Sequence, residues 1–155
     1  MPDEPQDQHD SVGAWAKKYY LTSRALIESV LREHDLGPTQ WYVLYQLANV
    51  SATKQRDLSQ LLNIERATLS GVVATLVRKG LVAQVADEVD QRQRILSITD
   101  AGRALWAELP DPVGRATALS FDGVDAADLE VARRVLREAT QRLVEHMAGP
   151  GSAGA

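Results

Sequence analysis

A mainly α-helical chain with one small β-hairpin is the fold class this sequence predicts, and three features of its middle third predict it. Leu69, Val72, Val73 and Leu76 recur at i, i+3, i+4 and i+7, the spacing of a helix with one apolar face. Arg78 and Lys79 fall in the last turn of that helix and Gly80 follows it, so basic charge meets the negative end of the dipole and a left-handed cap is available. Two strand-like runs, 81–86 and 94–98, are then joined by the polar tip 87–93. A shorter helix presenting Leu58, Leu61 and Leu62 comes before. Short helix, turn, longer helix and hairpin, in that order, make a winged helix-turn-helix, which sets one helix in the DNA major groove and a hairpin beside it.

The remaining elements follow in order. A first helix is expected from about Ser11 to Glu33, with Trp15, Tyr19, Leu26 and Val30 on one face and Val12, Ile27 and Leu31 beside it. So broad an apolar face asks for more cover than a small domain offers, which suggests a partner chain. Gly37-Pro38 starts a second helix carrying Trp41, Leu44, Tyr45 and Ala48. The third begins near Thr53 or Lys54. A fifth starts at Thr99-Asp100-Ala101-Gly102 and runs through Leu105 and Trp106 until Pro110 and Pro112 end or kink it. Asp125 with Asp128 caps a last helix whose stripe is Leu129, Ala132, Leu136, Ala139, Leu143 and Met147. Six helices and a hairpin result. Residues 1–10 read as disordered and 149–155 as a flexible tail.

Composition narrows the chemistry. At 155 residues and 45% apolar, the chain can bury one core, or a small core plus a dimer seam. Without cysteine there is no disulfide, thiolate metal site or thiol sensor. The histidines, His9, His34 and His146, lack ligand spacing and read as surface or half-buried imidazoles, so no metal or other cofactor is expected. No apolar run approaches the ~20 residues of a membrane span, and the acidic start is unlike a signal peptide, so a cytoplasmic setting with no membrane partner is expected. The net charge of −4 is unevenly spread. Residues 51–103 hold eight basic against six acidic side chains, +2, while the rest holds nine against fifteen, −6. The middle of the chain, not its ends, therefore faces a polyanion. No nucleophile–base pair, metal cluster or glycine-rich phosphate loop suggests an enzyme.

Four segments in order, LGPTQWYVLYQLAN (36–49), RDLSQLLNIERATLS (56–70), VRKGLV (77–82) and DQRQRILSITDAGR (90–103), resemble the MarR family of bacterial transcriptional regulators. The last holds the family's Asp-x-Arg wing signature at Asp90 and Arg92 and its Thr-x-x-Gly helix start at Thr99 and Gly102. The resemblance implies a homodimer interlocked through its end helices, two winged lobes on a pseudo-palindromic double-stranded DNA operator, and a small aromatic or amphipathic ligand bound between dimer helices and lobe. Residues 11–148 then form one unit: winged helix about 37–99, dimerisation helices about 11–35 and 100–148.

With its apolar stripe inward, the fourth helix turns Ala67, Ser70, Gly71, Ala74 and Arg78 outward, with Thr68 and Thr75 at one flank. So small a face can sit deep in the groove and meet thymine methyls, while hydroxyls bond base edges or phosphates. Many relatives carry Arg where this chain has Gly71, and Glu-Arg where it has Ala83-Gln84, which leaves Arg66 as the base-reading arginine. In extended chain Asp90 and Arg92 would leave the same side, the acid orienting the guanidinium for the minor groove, with Arg94 following. Lys54, Gln55, Thr39 and Gln40 sit at helix starts suited to phosphate.

For the ligand, all four tyrosines and two of three tryptophans lie on the first two helices, namely Trp15, Tyr19, Tyr20, Trp41, Tyr42 and Tyr45. Trp15, Tyr19, Trp41 and Tyr45 are the candidate pocket residues, and Arg24 could hold an anionic group; the same aromatics also suit a plain core and dimer seam. Tyr42, Val72 and Gln84 replace the acid and the arginines of urate-responsive relatives. A repressor released by a ligand is the favoured function. A constitutive DNA-binding regulator and a winged-helix protein-interaction module remain the alternatives.

Overall fold

The computed structural model describes residues 8–149. Helix α1 (Val12–Leu31) starts where Ser11 Oγ accepts from the Ala14 amide at 3.1 Å, and a single 3-10 turn (Arg32–His34) follows it. Helix α2 (Pro38–Asn49) opens as expected, with Gly37 at the cap and proline in the first turn. Strand β1 (Thr53–Lys54), α3 (Gln55–Leu61), α4 (Arg66–Arg78), β2 (Val82–Ala86) and β3 (Arg94–Ile98) make the winged part. Helices α5 (Asp100–Glu108), α6 (Pro112–Phe121) and α7 (Ala126–Ala148) complete the described chain. None is long and apolar enough to cross a membrane. Of the terminal segments expected to be unstructured, 1–7 and 150–155 lie outside the described residues. Within 8–10, Asp10 Oδ1 accepts from Trp15 Nε1 at 2.6 Å and the His9 carbonyl accepts from Lys18 Nζ at 2.6 Å.

Two expectations about element count change. The hairpin is part of a three-stranded antiparallel sheet in the order β1-β3-β2, with Thr53 opposite Leu96 and Lys54 opposite Ile95. The third helix therefore starts at Gln55, because the backbone of Thr53 and Lys54 bonds to β3; two residues are too few to show a period of two. The prolines do more than end the fifth helix. Asp111 Oδ1 accepts from the Gly114 amide at 2.9 Å and Pro112 takes the first position of α6, where a missing N–H costs nothing. Among the described residues there are thus seven α-helices.

Two compact units divide the chain, one to Ala116 and one from Thr117. In the first, Leu31, Val43, Leu44, Leu47, Leu58, Leu69, Val73, Leu76 and Leu96 are fully buried, each worth about 1.5–3 kcal/mol relative to exposure. The inward faces differ in detail from the sequence stripes. Val43 and Leu47 fill the α2 face while Tyr45 is 48% exposed; Leu61 is exposed; and Val72 is only half-buried. In α1 only Ile27 and Leu31 are buried. In the second unit, α7 starts where Asp125 Oδ1 accepts from the Ala127 amide at 2.8 Å, and it buries no residue.

One junction ties the winged elements together. Gly80, at φ 74, lets α4 turn into β2. Thr99 Oγ1 donates to the Gly80 carbonyl at 2.6 Å and accepts from the Gly102 amide at 3.0 Å, while the Thr99 amide donates to the Leu81 carbonyl at 3.1 Å. Gly102 packs so closely that a Cβ there would stand 2.2 Å from the Leu81 carbonyl oxygen and 2.7 Å from Ile98 Cγ1. Gly102→Ala should therefore lower unfolding free energy by about 1–3 kcal/mol, seen as a lower urea midpoint at unchanged slope. An unchanged midpoint would mean the junction yields freely.

Candidate nucleic-acid interface and aromatic cluster

The exposed side of α4 is the small, polar face that the sequence predicts. Ala67, Thr68, Ser70, Gly71, Ala74 and Arg78 are all exposed. Beside it lies a cleft of about 270 Å³ lined by residues of α3, α4 and the wing, into which Arg56, Arg66, Arg92 and Arg94 converge. Among the described residues, the guanidinium groups of Arg66, Arg92 and Arg94 have no ion-pair or hydrogen-bond partner in the protein, so their donors are available to an anion. Arg56, which the sequence reading passed over, pairs only loosely with Asp57 at 3.7 Å. Its signal was the same as that of Gln55 beside it, a polar side chain in the first turn of a helix.

Other predicted contacts are engaged inside the protein. Thr75 Oγ1 donates to the Gly71 carbonyl at 3.1 Å and accepts from Arg78 Nη2 at 3.0 Å, so both fold back along α4. Lys54 Nζ lies 3.5 Å from Asp87 Oδ2. Asp87, buried at the base of the wing, also accepts from the Val89 amide at 3.2 Å and thereby fixes the tip to β1. Thr39 Oγ1 accepts from Arg24 Nη2 at 3.5 Å and Gln40 Oε1 from the Gly37 amide at 3.3 Å, both at the start of α2.

Asp90 and Arg92 differ from their expected geometry. They lie in a turn rather than in extended chain, and Asp90 Oδ1 accepts from the Arg92 amide at 3.1 Å, not from its guanidinium. A turn closed by the carboxylate and by the Gln93 amide on the Asp90 carbonyl (2.9 Å) places Arg92 by its backbone. The signature thus makes local sense as a turn stop, with the arginine head left free.

The aromatic residues divide. Trp41 stacks on Tyr45 at 5.4 Å between centroids, meets Tyr42 edge-on at 5.2 Å, and meets Trp106 of α5 at 5.4 Å. Trp106 was missed because its partners are more than fifty residues away in sequence and its own helix shows no aromatic period. Trp15 is not part of this cluster: its indole bonds Asp10 and its ring carries Lys18 Nζ at 4.5 Å. Tyr19 is exposed on α1. Trp41 is 4% exposed, and its Nε1 has no hydrogen-bond partner among the described residues. An orphaned buried donor costs about 1–3 kcal/mol, so the cluster holds an unmet demand for an acceptor.

Comparison with known proteins shows what the chain is similar to. The MarR family profile matches residues 34–93, from the end of α1 into the wing. In Bordetella bronchiseptica BpsR, whose DNA binding is regulated by 6-hydroxynicotinic acid, the same fold recurs at a TM-score of 0.77 and 26% identity, over 88% of this chain and 98% of that one. Over residues 34–93 the chain is thus similar to the MarR family. Two further relatives are the transcriptional activatory protein BadR of Rhodopseudomonas palustris, 36% identical over 84 residues, and the HTH-type transcriptional repressor NicR of Pseudomonas putida, 24% identical over 138 residues. The BadR match covers 52% of this chain and 48% of BadR, and the NicR match 89% and 87%.

Burial raises the pKa of the Tyr42 hydroxyl above 10.0, against the opposing pull of the nearby Arg24 cation. A folded-state pKa above the unfolded one contributes stability that is fully present below pH 10 and is lost as pH rises through the folded value. Absorbance titration should show one tyrosine ionising later than the rest, and Tyr42→Phe should remove that late step. Four tyrosines titrating together in the wild-type protein would refute the placement.

Proposed function

We propose that this chain is a dimeric, sequence-specific DNA-binding transcriptional regulator of the MarR type, a repressor released from its operator by a small aromatic ligand. The observation that carries the DNA reading is the convergence of Arg56, Arg66, Arg92 and Arg94 on the cleft beside the small exposed face of α4. Three of these heads have no internal partner among the described residues, so phosphates or base edges would be their first strong acceptors. Thr68 and Ser70 supply hydroxyls on the same face. The dimer reading is supported by α7, a 23-residue helix with no buried side chain and with Val131, Val135, Leu136, Leu143, Val144 and Met147 exposed. A solitary chain would leave that apolar surface in water.

The ligand reading rests on the cluster around Trp41. Its stacked rings suit a flat molecule, its indole N–H wants an acceptor, and Arg24 carries a positive charge close to Tyr42. An aromatic acid or phenol meets all three conditions. The 6-hydroxynicotinic acid that regulates BpsR is a molecule of this kind. The ligand's effect on DNA affinity would equal the difference in its affinity for the DNA-competent and DNA-incompetent arrangements of the dimer.

Binding experiments at several salt concentrations test the DNA reading. Arg92→Ala should weaken binding to every duplex and flatten the slope of log affinity against log salt by about one unit. Arg66→Ala should instead relax preference at particular base pairs, costing roughly 1–3 kcal/mol on the best site. If Arg92→Ala changes neither affinity nor slope, the wing does not touch DNA.

Titration with a panel of aromatic carboxylic acids, followed by tryptophan fluorescence and operator release, tests the ligand reading. Release of about 5–150-fold is expected for at least one acid, and Tyr45→Ala should blunt it while sparing ligand-free binding, since Tyr45 is half exposed. If no acid moves operator affinity, the protein is a constitutive DNA binder and the cluster is core.

A further inference from the structure

One chain of hydrogen bonds crosses the winged lobe and ends on the exposed face of α4. Gln84 on β2 donates through Nε2 to Gln55 Oε1 at 2.7 Å, and Gln55 at the start of α3 donates through Nε2 to Ser70 Oγ at 3.2 Å. A carboxamide has an accepting end and a donating end, so the group that occupies one end decides which end faces the next residue. Gln84 holds the oxygen of Gln55, and the amino group is therefore presented to Ser70.

Ser70 is left with a defined preference. One lone pair of its oxygen is taken by Gln55, while its hydrogen has no acceptor among the described residues. A helical hydroxyl commonly spends that hydrogen on the preceding turn, as Thr75 does on the Gly71 carbonyl at 3.1 Å. Ser70 does not, and it is exposed on the face turned away from the core.

We infer that Gln84 and Gln55 are positioning residues that make Ser70 a hydrogen-bond donor, so that the base edge it meets is an acceptor, such as O6 or N7 of guanine, and not the amino group of cytosine. This rests on the reading that α4 enters the major groove, where those atoms are displayed. Neither glutamine need touch DNA to act; each acts through Ser70. The charge of the lobe plays no part, since all three groups are neutral.

Substitution at Gln84 can reverse the chain or preserve it. A carboxylate only accepts, so Gln84→Glu requires the Gln55 amide to turn over, present its oxygen to Ser70 and take up the serine hydrogen. Ser70 then meets DNA as an acceptor. An ammonium only donates, so Gln84→Lys keeps the native direction. Both changes lie at an exposed position on an outer strand of the sheet and should leave folding intact, which circular dichroism and thermal melting would verify.

The experiment measures relative affinity of the full chain for duplexes varied at each operator position, starting from genomic fragments retained by the wild-type protein. At one position per half-site, the wild-type and Gln84→Lys proteins should favour guanine over cytosine on the strand that Ser70 reads. Gln84→Glu should shift that ratio toward cytosine by about two- to tenfold, and Ser70→Ala should erase the preference. The charges added at residue 84 should change overall affinity in opposite directions on all duplexes, a separate and uniform effect. Glu and Lys variants that share the wild-type profile at every position, differing only in overall affinity, would overturn the polarity role while leaving α4 in the groove. A wild-type protein without any sequence preference would overturn both.

Discussion

The winged lobe depends on one close approach: the backbone of Gly102 against the carbonyl of Leu81. Helix α4 ends at Gly80, β2 starts immediately after it, β3 ends at Ile98, and α5 begins at Asp100. All four ends meet around Thr99, whose hydroxyl serves one end as donor and another as acceptor. A helix end leaves its last carbonyls and the next helix's first amides without partners, and this single side chain satisfies one of each. Because the joint is built of backbone and one short side chain, hydrogen bonds and close packing at Thr99 and Gly102 help set the direction of the wing relative to α4.

Around that joint the lobe sorts its polar residues into two kinds. Lys54 with Asp87, Asp90 with the Arg92 amide, Thr75 with Arg78, and Arg24 with Thr39 hold the frame. Among the described residues Arg66, Arg92 and Arg94 are held by no partner, and they converge on the same cleft. The division follows from reach and register. Asp87 and Asp90 each accept from an amide two residues on, whereas the arginine heads extend past the turn that fixes their backbone. Lys79 is a further strut, its ammonium engaging both the carbonyl and the carboxylate of Asp35, 3.3 Å away in the latter case, so the end of α4 is fastened to the corner between α1 and α2. Movement at that corner would be felt at α4, and Trp41 sits on the first turn of α2 just beyond it.

Much of the candidate interface was legible because it depends on local rules. The stripe Leu69, Val73 and Leu76 faces the core, so the opposite face of α4 had to be outward, and Gly80 had to turn. The resemblance at Asp90 and Arg92 located the wing, though not its geometry: two-residue spacing reads as extended chain, and only the bond from the Arg92 amide shows a turn. Arg56 and Asp87 were given no role, and Gln84 was noted only as a departure from relatives, because their importance comes from neighbours distant in sequence. Gln84 and Gln55 are 29 residues apart, and no periodicity connects them.

By itself, the sequence determined the order of elements, the helix starts at Gly37-Pro38, Thr99 and Asp125, the inward stripe of α4, and the placing of basic charge in the middle of the chain. These are set by capping, dihedral preference and period, which act within a few residues. The tertiary structure alone decided that Thr53 and Lys54 become a third strand, that Trp106 and not Trp15 joins Trp41, and which charged heads remain free. Those outcomes depend on what folding brings within bonding distance, and a one-dimensional pattern does not encode distance between segments that no short repeat relates.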